Sequence, residues 1–241
     1  MSGRRRAPRP AGRRRRVWAV AGVLTVVVAV CAVAVAVALL RPGKARTTAD
    51  RATTGPQSSP MSAPDGSERD VVPDACTALS QKVADQLTPG AERTEMDQAT
   101  DADRHSECAW SIYGNDRRQL TVELRALTGD GTTSATGVAT RTFGDEWDSD
   151  RAGKDLADTV KVRDSRGVSG VGEQAYVVYT VDNDDIGDAV ANARLANVLV
   201  TVHFSGGDDK DGDMKPISSS DATNGALSAA RDVISKLQSQ S

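Results

Sequence analysis

Histidine, cysteine and aromatic side chains are scarce in this chain: two His, three Cys, three Trp, three Tyr and two Phe among 241 residues. Each scarcity removes a class of chemistry. A zinc site draws about four N, S or O ligands at paired spacings, and Cys76, Cys108 and the scattered His105 and His203 do not supply one. No C-x-x-C is present, which argues against a redox dithiol. Ser169 in GVSGVG is followed directly by Gly170, so it is not the serine of a G-x-S-x-G elbow. The same glycines miss both phosphate-loop spacings, and a strand pattern follows them where those loops need a helix. His105 lies in a polar stretch before a strand, and His203 lies on the outward face of VTVHFS. A nucleophile, base and orienting group must meet in space, and nothing in the pattern gathers them. The acidic stretches DNDDIGD (182–188) and DDKDGD (208–213) fail the EF-hand register. Counting from Asp182 puts Ile186 at position 5, and counting from Asp209 puts Gly212 at position 4. They read as solvated loops. No catalytic residue, metal or cofactor is expected.

Charge is absent in another place. Residues 17–40, VWAVAGVLTVVVAVCAVAVAVALL, carry none, and only Thr25 has a clearly polar side chain. As a helix the run reaches about 36 Å, more than a hydrocarbon core of about 30 Å. It is also longer than the roughly 7–15 residues of a cleaved signal's apolar region. A single transmembrane signal anchor is therefore expected. Residues 1–16 hold eight arginines and no acid, which places them in the cytoplasm and the rest of the chain outside. The chain beyond the arginine tail sets 22 basic residues against 33 acids, a net −11. An acidic body argues against nucleic acid as a partner. Cys31 sits mid-span behind Val30, where lipoprotein processing prefers a small residue, and reads as an apolar side chain of the span.

Residues 41–72 are rich in Pro, Ser, Thr, Gly and Ala, lack periodicity, and predict a disordered linker. A folded domain is expected over 73–241. Asp74 is a candidate N-cap for a helix carrying Ala75, Leu79, Val83 and Leu87 on one stripe and ending at Thr88-Pro89-Gly90. The runs 108–113 and 119–127 predict an antiparallel hairpin. Leu120, Val122 and Leu124 face a core, and Thr121, Glu123 and Arg125 face water. A helix is expected over 134–158 with Val138, Thr142 and Trp147 on its stripe. Strands are expected over 159–164, 174–182 and 194–205. An amphipathic helix is expected over 224–238. Polar loops fill 91–107, 182–192 and 206–221.

Cys76 and Cys108 are the only cysteines beyond the apolar span, and an oxidising compartment favours a disulfide between them. It would pin the first helix to the first strand, closing a loop of about 33 residues worth roughly 3–4 kcal/mol. Trp110 lies two residues beyond Cys108 on the same strand face and is expected to pack beside the disulfide; stacking on a ligand is the sharper alternative.

The order PDACTALS (73–80), CAW (108–110), GVGEQAY (170–176), NVLVTVHFSG (197–206) and a closing helix resembles a domain of unknown function. That domain occurs in actinobacterial envelope proteins, many of them lipoproteins. The resemblance spans 73–238 and implies an exported, disulfide-linked α+β domain with no established activity, its paired cysteines mapping onto Cys76 and Cys108. The expected architecture is α+β: an antiparallel sheet packed by N- and C-terminal helices, one disulfide, and a single transmembrane helix in front. The expected role is a non-enzymatic binding or interaction module of the cell envelope, with an unknown envelope protein or cell-wall ligand as partner. A cell-wall enzyme using loop carboxylates, or a sensor acting through a membrane partner, is the alternative.

Overall fold

The computed structural model describes residues 68–96, 104–114 and 116–240. The arginine tail, the apolar span and the linker up to residue 67 lie outside the described residues. Among the described residues no helix is long and apolar enough to cross a membrane.

The fold is α+β. Eight strands form one antiparallel sheet: β1 (Glu92–Glu95), β2 (His105–Ile112), β3 (Asp116–Ala126), β4 (Lys161–Val168), β5 (Gln174–Val181), β6 (Gly187–Leu195), β7 (Val198–Lys210) and β8 (Asp213–Pro216). Their order is β1-β2-β3-β7-β6-β5-β4, with β8 paired to the far end of β7. Strand alternation sends Leu120, Val122 and Leu124 of β3, Val177 of β5, and Val198, Val200 and Val202 of β7 into one core. Three helices cover that core: α1 (Ala75–Ala78), α2 (Gln81–Leu87) and α4 (Ser219–Gln238). A fourth, α3 (Ala135–Ala152), covers part of the opposite face, where Ala139 and Phe143 meet Tyr176, Val178 and Leu199.

Asp74 does cap the first helix, its carboxylate accepting from the Cys76 amide at 2.7 Å. The expected single helix is broken, however. Leu79 is extended, with φ −85° and ψ 133°, and Ser80 is held by Asp232 of α4 through both its amide and its hydroxyl. The stripe survives the break: Ala75, Leu79 and Ala84 are buried, and Val83 and Leu87 pack against the same core. The disulfide joins Cys76 of α1 to Cys108 of β2 with Cα atoms 5.1 Å apart. Beside it the Ala75 amide donates to the Ser106 hydroxyl at 2.8 Å. Trp110 is 3 % exposed and lies in the same core as Cys108, on the same face of β2.

Several expectations are corrected. The acidic loop over 182–192 is mostly strand: β6 runs from Gly187 to Leu195. Its core face is Ala189, Ala191 and Ala193, under Ala222, Ala226, Ala229 and Ala230 of α4. Alanine is a weak strand former, but small residues on both sides let helix and sheet approach closely. The strand expected over 194–205 is two strands, turning at Ala196-Asn197 between the paired Leu195 and Val198. The polar loop over 206–221 contains the end of β7 and all of β8, joined at Asp211-Gly212. Both residues there have positive φ, 60° and 90°, as a tight two-residue hairpin requires. Strand β1 also lay within an expected loop; its four residues are exposed on the sheet edge and carry no alternation. Helix α3 ends earlier than expected, at Gly153, whose φ of 63° makes it a left-handed cap. Its buried stripe is Ala139 and Phe143, one position round from Val138 and Thr142.

The linker boundary moves as well. Val72 is 8 % exposed and belongs to the core. The Arg69 amide donates to Asn197 Oδ1 and the Arg69 carbonyl accepts from Asn197 Nδ2, both at 2.8 Å. Arg69 Nη2 donates to the Leu237 carbonyl at 2.6 Å, at the C-terminal end of α4. Glu68 Oε1 accepts from the Thr136 amide at 2.7 Å, at the N-terminal end of α3. Both charges sit where the helix dipoles favour them. Residues 68–72 are a strap of the fold.

Candidate functional site

The polar side chains with the most unusual surroundings lie on the α3 side of the sheet. Strand register arranges them in rows. Thr201 of β7 stands between Asn192 of β6 and Glu123 of β3, and His203 stands between Val190 and Thr121. This face was expected to be wet. Helix α3 leaves Glu123 28 % and Arg125 29 % exposed at their side chains, so the polar groups work at reduced solvent contact.

The innermost group is Tyr176, 1 % exposed and stacked between Phe143 and Trp147 at ring distances of 5.1 and 4.6 Å. Its hydroxyl donates to Asp150 Oδ2 at 2.7 Å and accepts from Asn192 Nδ2 at 2.6 Å. Thr201 Oγ1 donates to Asn192 Oδ1 at 2.6 Å. Burial, then the Asp150 carboxylate, pushes the Tyr176 hydroxyl far above the ordinary phenol range. It is a donor and not a base. Burial also raises Asp150, against the hydrogen bond from Tyr176 that favours its charge.

Next along the face, Arg125 Nη2 pairs with Glu146 at 2.7 Å and its Nε lies 3.3 Å from Glu123. Burial works against the guanidinium charge, but Glu146 and Glu123 outweigh it and raise Arg125 above its ordinary value. His105 Nε2 lies 2.9 Å from the same Glu123 oxygen. His203 Nδ1 lies 3.3 Å from Asp188 Oδ2, its side chain 47 % exposed. Loss of solvent lowers the affinity of His203 for a proton, yet Asp188, Glu123 and Asp150 together raise it.

The two histidines thus share a face, each with its own carboxylate, on β2 and β7. Ser169 is exposed in the turn before β5, far along the chain from either pairing. In the acidic stretches Asp188 faces His203 and Asp208 pairs with Arg118, while two other carboxylates bind their own backbone. Asp182 Oδ1 accepts from the Asp184 and Ile186 amides, and Asp209 Oδ1 accepts from the Gly212 amide. Among the described residues no cluster of three or more His, Cys, Asp or Glu side chains is placed to hold a metal ion.

The glycine motif is a clamp. Gly172 has φ 58°, and a Cβ there would stand 2.5 Å from the Arg194 carbonyl oxygen. That close approach lets the Glu173 amide donate to the Arg194 carbonyl and the Glu173 carboxylate accept from the Ala196 amide. The same carboxylate pairs with Arg194 Nη1 at 2.7 Å. GVGE therefore locks the β6–β7 turn. Asn192 and Asp150 went unnoticed in the sequence. The one available signal was a polar residue among alternating alanines in 189–193.

No family model matches the chain, and no curated protein matches it.

Proposed function

We propose that the chain is a non-enzymatic binding module of the cell envelope, displayed outside the membrane on a single span over residues 17–40. The observation that carries this reading is how the charged side chains on the α3 face are engaged. Arg125 holds Glu146 and Glu123, Asp150 holds Tyr176 and Asn192, and His203 holds Asp188. Such mutual pairing suits a rigid scaffold better than turnover, which needs an acid or base free to exchange a proton with substrate. The uncharged run and its arginine flank support the anchor. The resemblance to an actinobacterial envelope domain supports the setting, and the disulfide suits an oxidising compartment.

The test has two parts. In intact cells the domain is expected to be cut by added protease while the N-terminal tail is protected. Envelope extract passed over the tethered protein is expected to leave a saturable partner. Cleavage of a wall polymer by the purified protein would overturn the reading.

A further inference from the structure

The end of the sheet beyond α3 holds a cleft of about 160 Å3 where β2 turns into β3, beside the start of β6. Its lining combines Ile112 and Ile186 with Arg117, Gln119, Ser205 and the ring of Tyr113. Tyr113 is 77 % exposed, the most exposed large hydrophobic side chain among the described residues. Gln119 and Ser205 face each other across β3 and β7, and neither side chain is hydrogen bonded within the described fold. Arg117 likewise has no ion pair there.

Its neighbour shows why Arg117 is available. Arg118 donates to the Arg117 and Gly207 carbonyls and pairs with Asp208 at 2.6 Å. Arg118 is fixed as wall, and Arg117 is left facing solvent. Gly206 makes room for Arg118: a Cβ there would stand 2.4 Å from the Arg117 carbonyl oxygen and 2.9 Å from Arg118 Cδ. The nearby Asp188 carboxylate, opposite Ser205 on β6, already faces His203, so its repulsion of an anion is reduced.

We propose that this cleft binds a carboxylate carried next to an apolar group. This rests on the binding-module reading and names its ligand class. A guanidinium takes a carboxylate through paired N–H bonds, and Gln119 and Ser205 supply further donors. Ile186 meets the apolar part, and Tyr113 closes over it; Tyr and Arg are the side chains that most often dominate recognition. The volume is below the roughly 300–1,000 Å3 of pockets that enclose a drug-sized ligand. The cleft therefore takes one end of a chain, or a small acid.

Two sources carry this chemistry, a peptide C-terminus and a free small carboxylic acid. The probes are a fluorescent hexapeptide ending in isoleucine with a free carboxylate, the same peptide amidated, and N-acetyl-isoleucine. Binding is measured on the full chain in detergent. The free-acid peptide is expected to bind roughly tenfold or more tightly than the amide. Arg117→Gln is expected to remove that difference, and Tyr113→Ala to weaken both peptides. Tighter binding of the peptide than of N-acetyl-isoleucine assigns the chain terminus, and equal binding assigns the small acid. Equal binding of acid and amide, an unchanged Arg117→Gln, or no binding at millimolar probe overturns the proposal. Envelope capture that Arg117→Gln leaves intact would remove this cleft while the binding-module reading stands.

Discussion

Asn197 and Arg69 exchange two hydrogen bonds of 2.8 Å, although 128 residues separate them. Asn197 is 1 % exposed, and its amide also donates to the Leu127 carbonyl at 2.8 Å. One side chain thus ties the strap at 68–72 to the β6–β7 turn and to the end of β3. Asn197→Ala removes these bonds and leaves buried groups unpaired, at a cost of about 2–4 kcal/mol. Urea unfolding checks this. A chain starting at Glu68 should keep full stability and one starting at Pro73 should lose a comparable amount; equal stability of the two would reject the strap.

Reducing the Cys76–Cys108 bond should raise the intact mass by two hydrogens. The chain-entropy account gives a loss of roughly 3–4 kcal/mol for a loop of this length. The double substitution to serine should show the same loss, with little change in the folded state's far-ultraviolet spectrum.

Two helical glycines should respond with opposite signs. A Cβ on Gly225 of α4 would stand 2.5 Å from the Phe204 ring, whereas one on Gly144 of α3 meets nothing within 4 Å. Gly225→Ala is expected to destabilise by about 1–3 kcal/mol through overpacking. Gly144→Ala is expected to stabilise by about 0.5–1 kcal/mol. Thermal unfolding of the two variants makes the comparison.

Removing the Tyr176 hydroxyl leaves Asp150 and Asn192 short of a partner. Tyr176→Phe should cost about 1–3 kcal/mol, and it should drive the Asp150 carboxyl further upward, because the lost hydrogen bond favours the charged form. Carbon-13 chemical shifts of the Asp150 carboxyl through a pH titration would read this directly. An unchanged titration would contradict the geometry.

Titration should divide these groups by sign. His203 is raised above 6.5, so its contribution is complete below that pH and is lost as pH rises through the folded value. Asp150 is raised too; it favours the fold most at acid pH, and that advantage fades above the ordinary carboxylate value. Asp130 runs the other way. The Thr132 hydroxyl, then the Thr132 and Thr133 amides, hold it well below the usual carboxylate range. Its contribution is present above the unfolded value and lost on acidification. Denaturation across pH should therefore show His203→Gln flattening the neutral-to-alkaline decline and Asp130→Asn flattening the acid limb.

The hairpin of β2 and β3 and helix α4 were legible because large apolar side chains mark one face of each, and strand β5 because they fill both of its faces. Cysteine counting found the disulfide. Strand β6 was hidden because its core face is alanine, and β1 because it sits on an edge where all four residues meet water. The strap was masked by a composition that reads as spacer, and of its two valines only Val72 is buried, Val71 being exposed. The polar face was misjudged for a different reason. Alternation says which side of a strand faces away from the core, but not that α3 returns to cover that side. The residues carrying the resemblance, from Cys76 to Gly172 and Asn197, hold the architecture together. Arg117 and Tyr113, which form the proposed binding cleft, flank a turn whose polarity resembles that of any other.

The strap also fixes how the domain bears load. Tension arriving along the chain at Glu68 would meet α3 through Thr136, the β6–β7 turn through Asn197, and the end of α4 through Leu237. These bonds lie on three elements, so the load would be divided among them. A tether attached at a strand end would peel its bonds away one at a time. A body held by this segment is gripped at three elements at once.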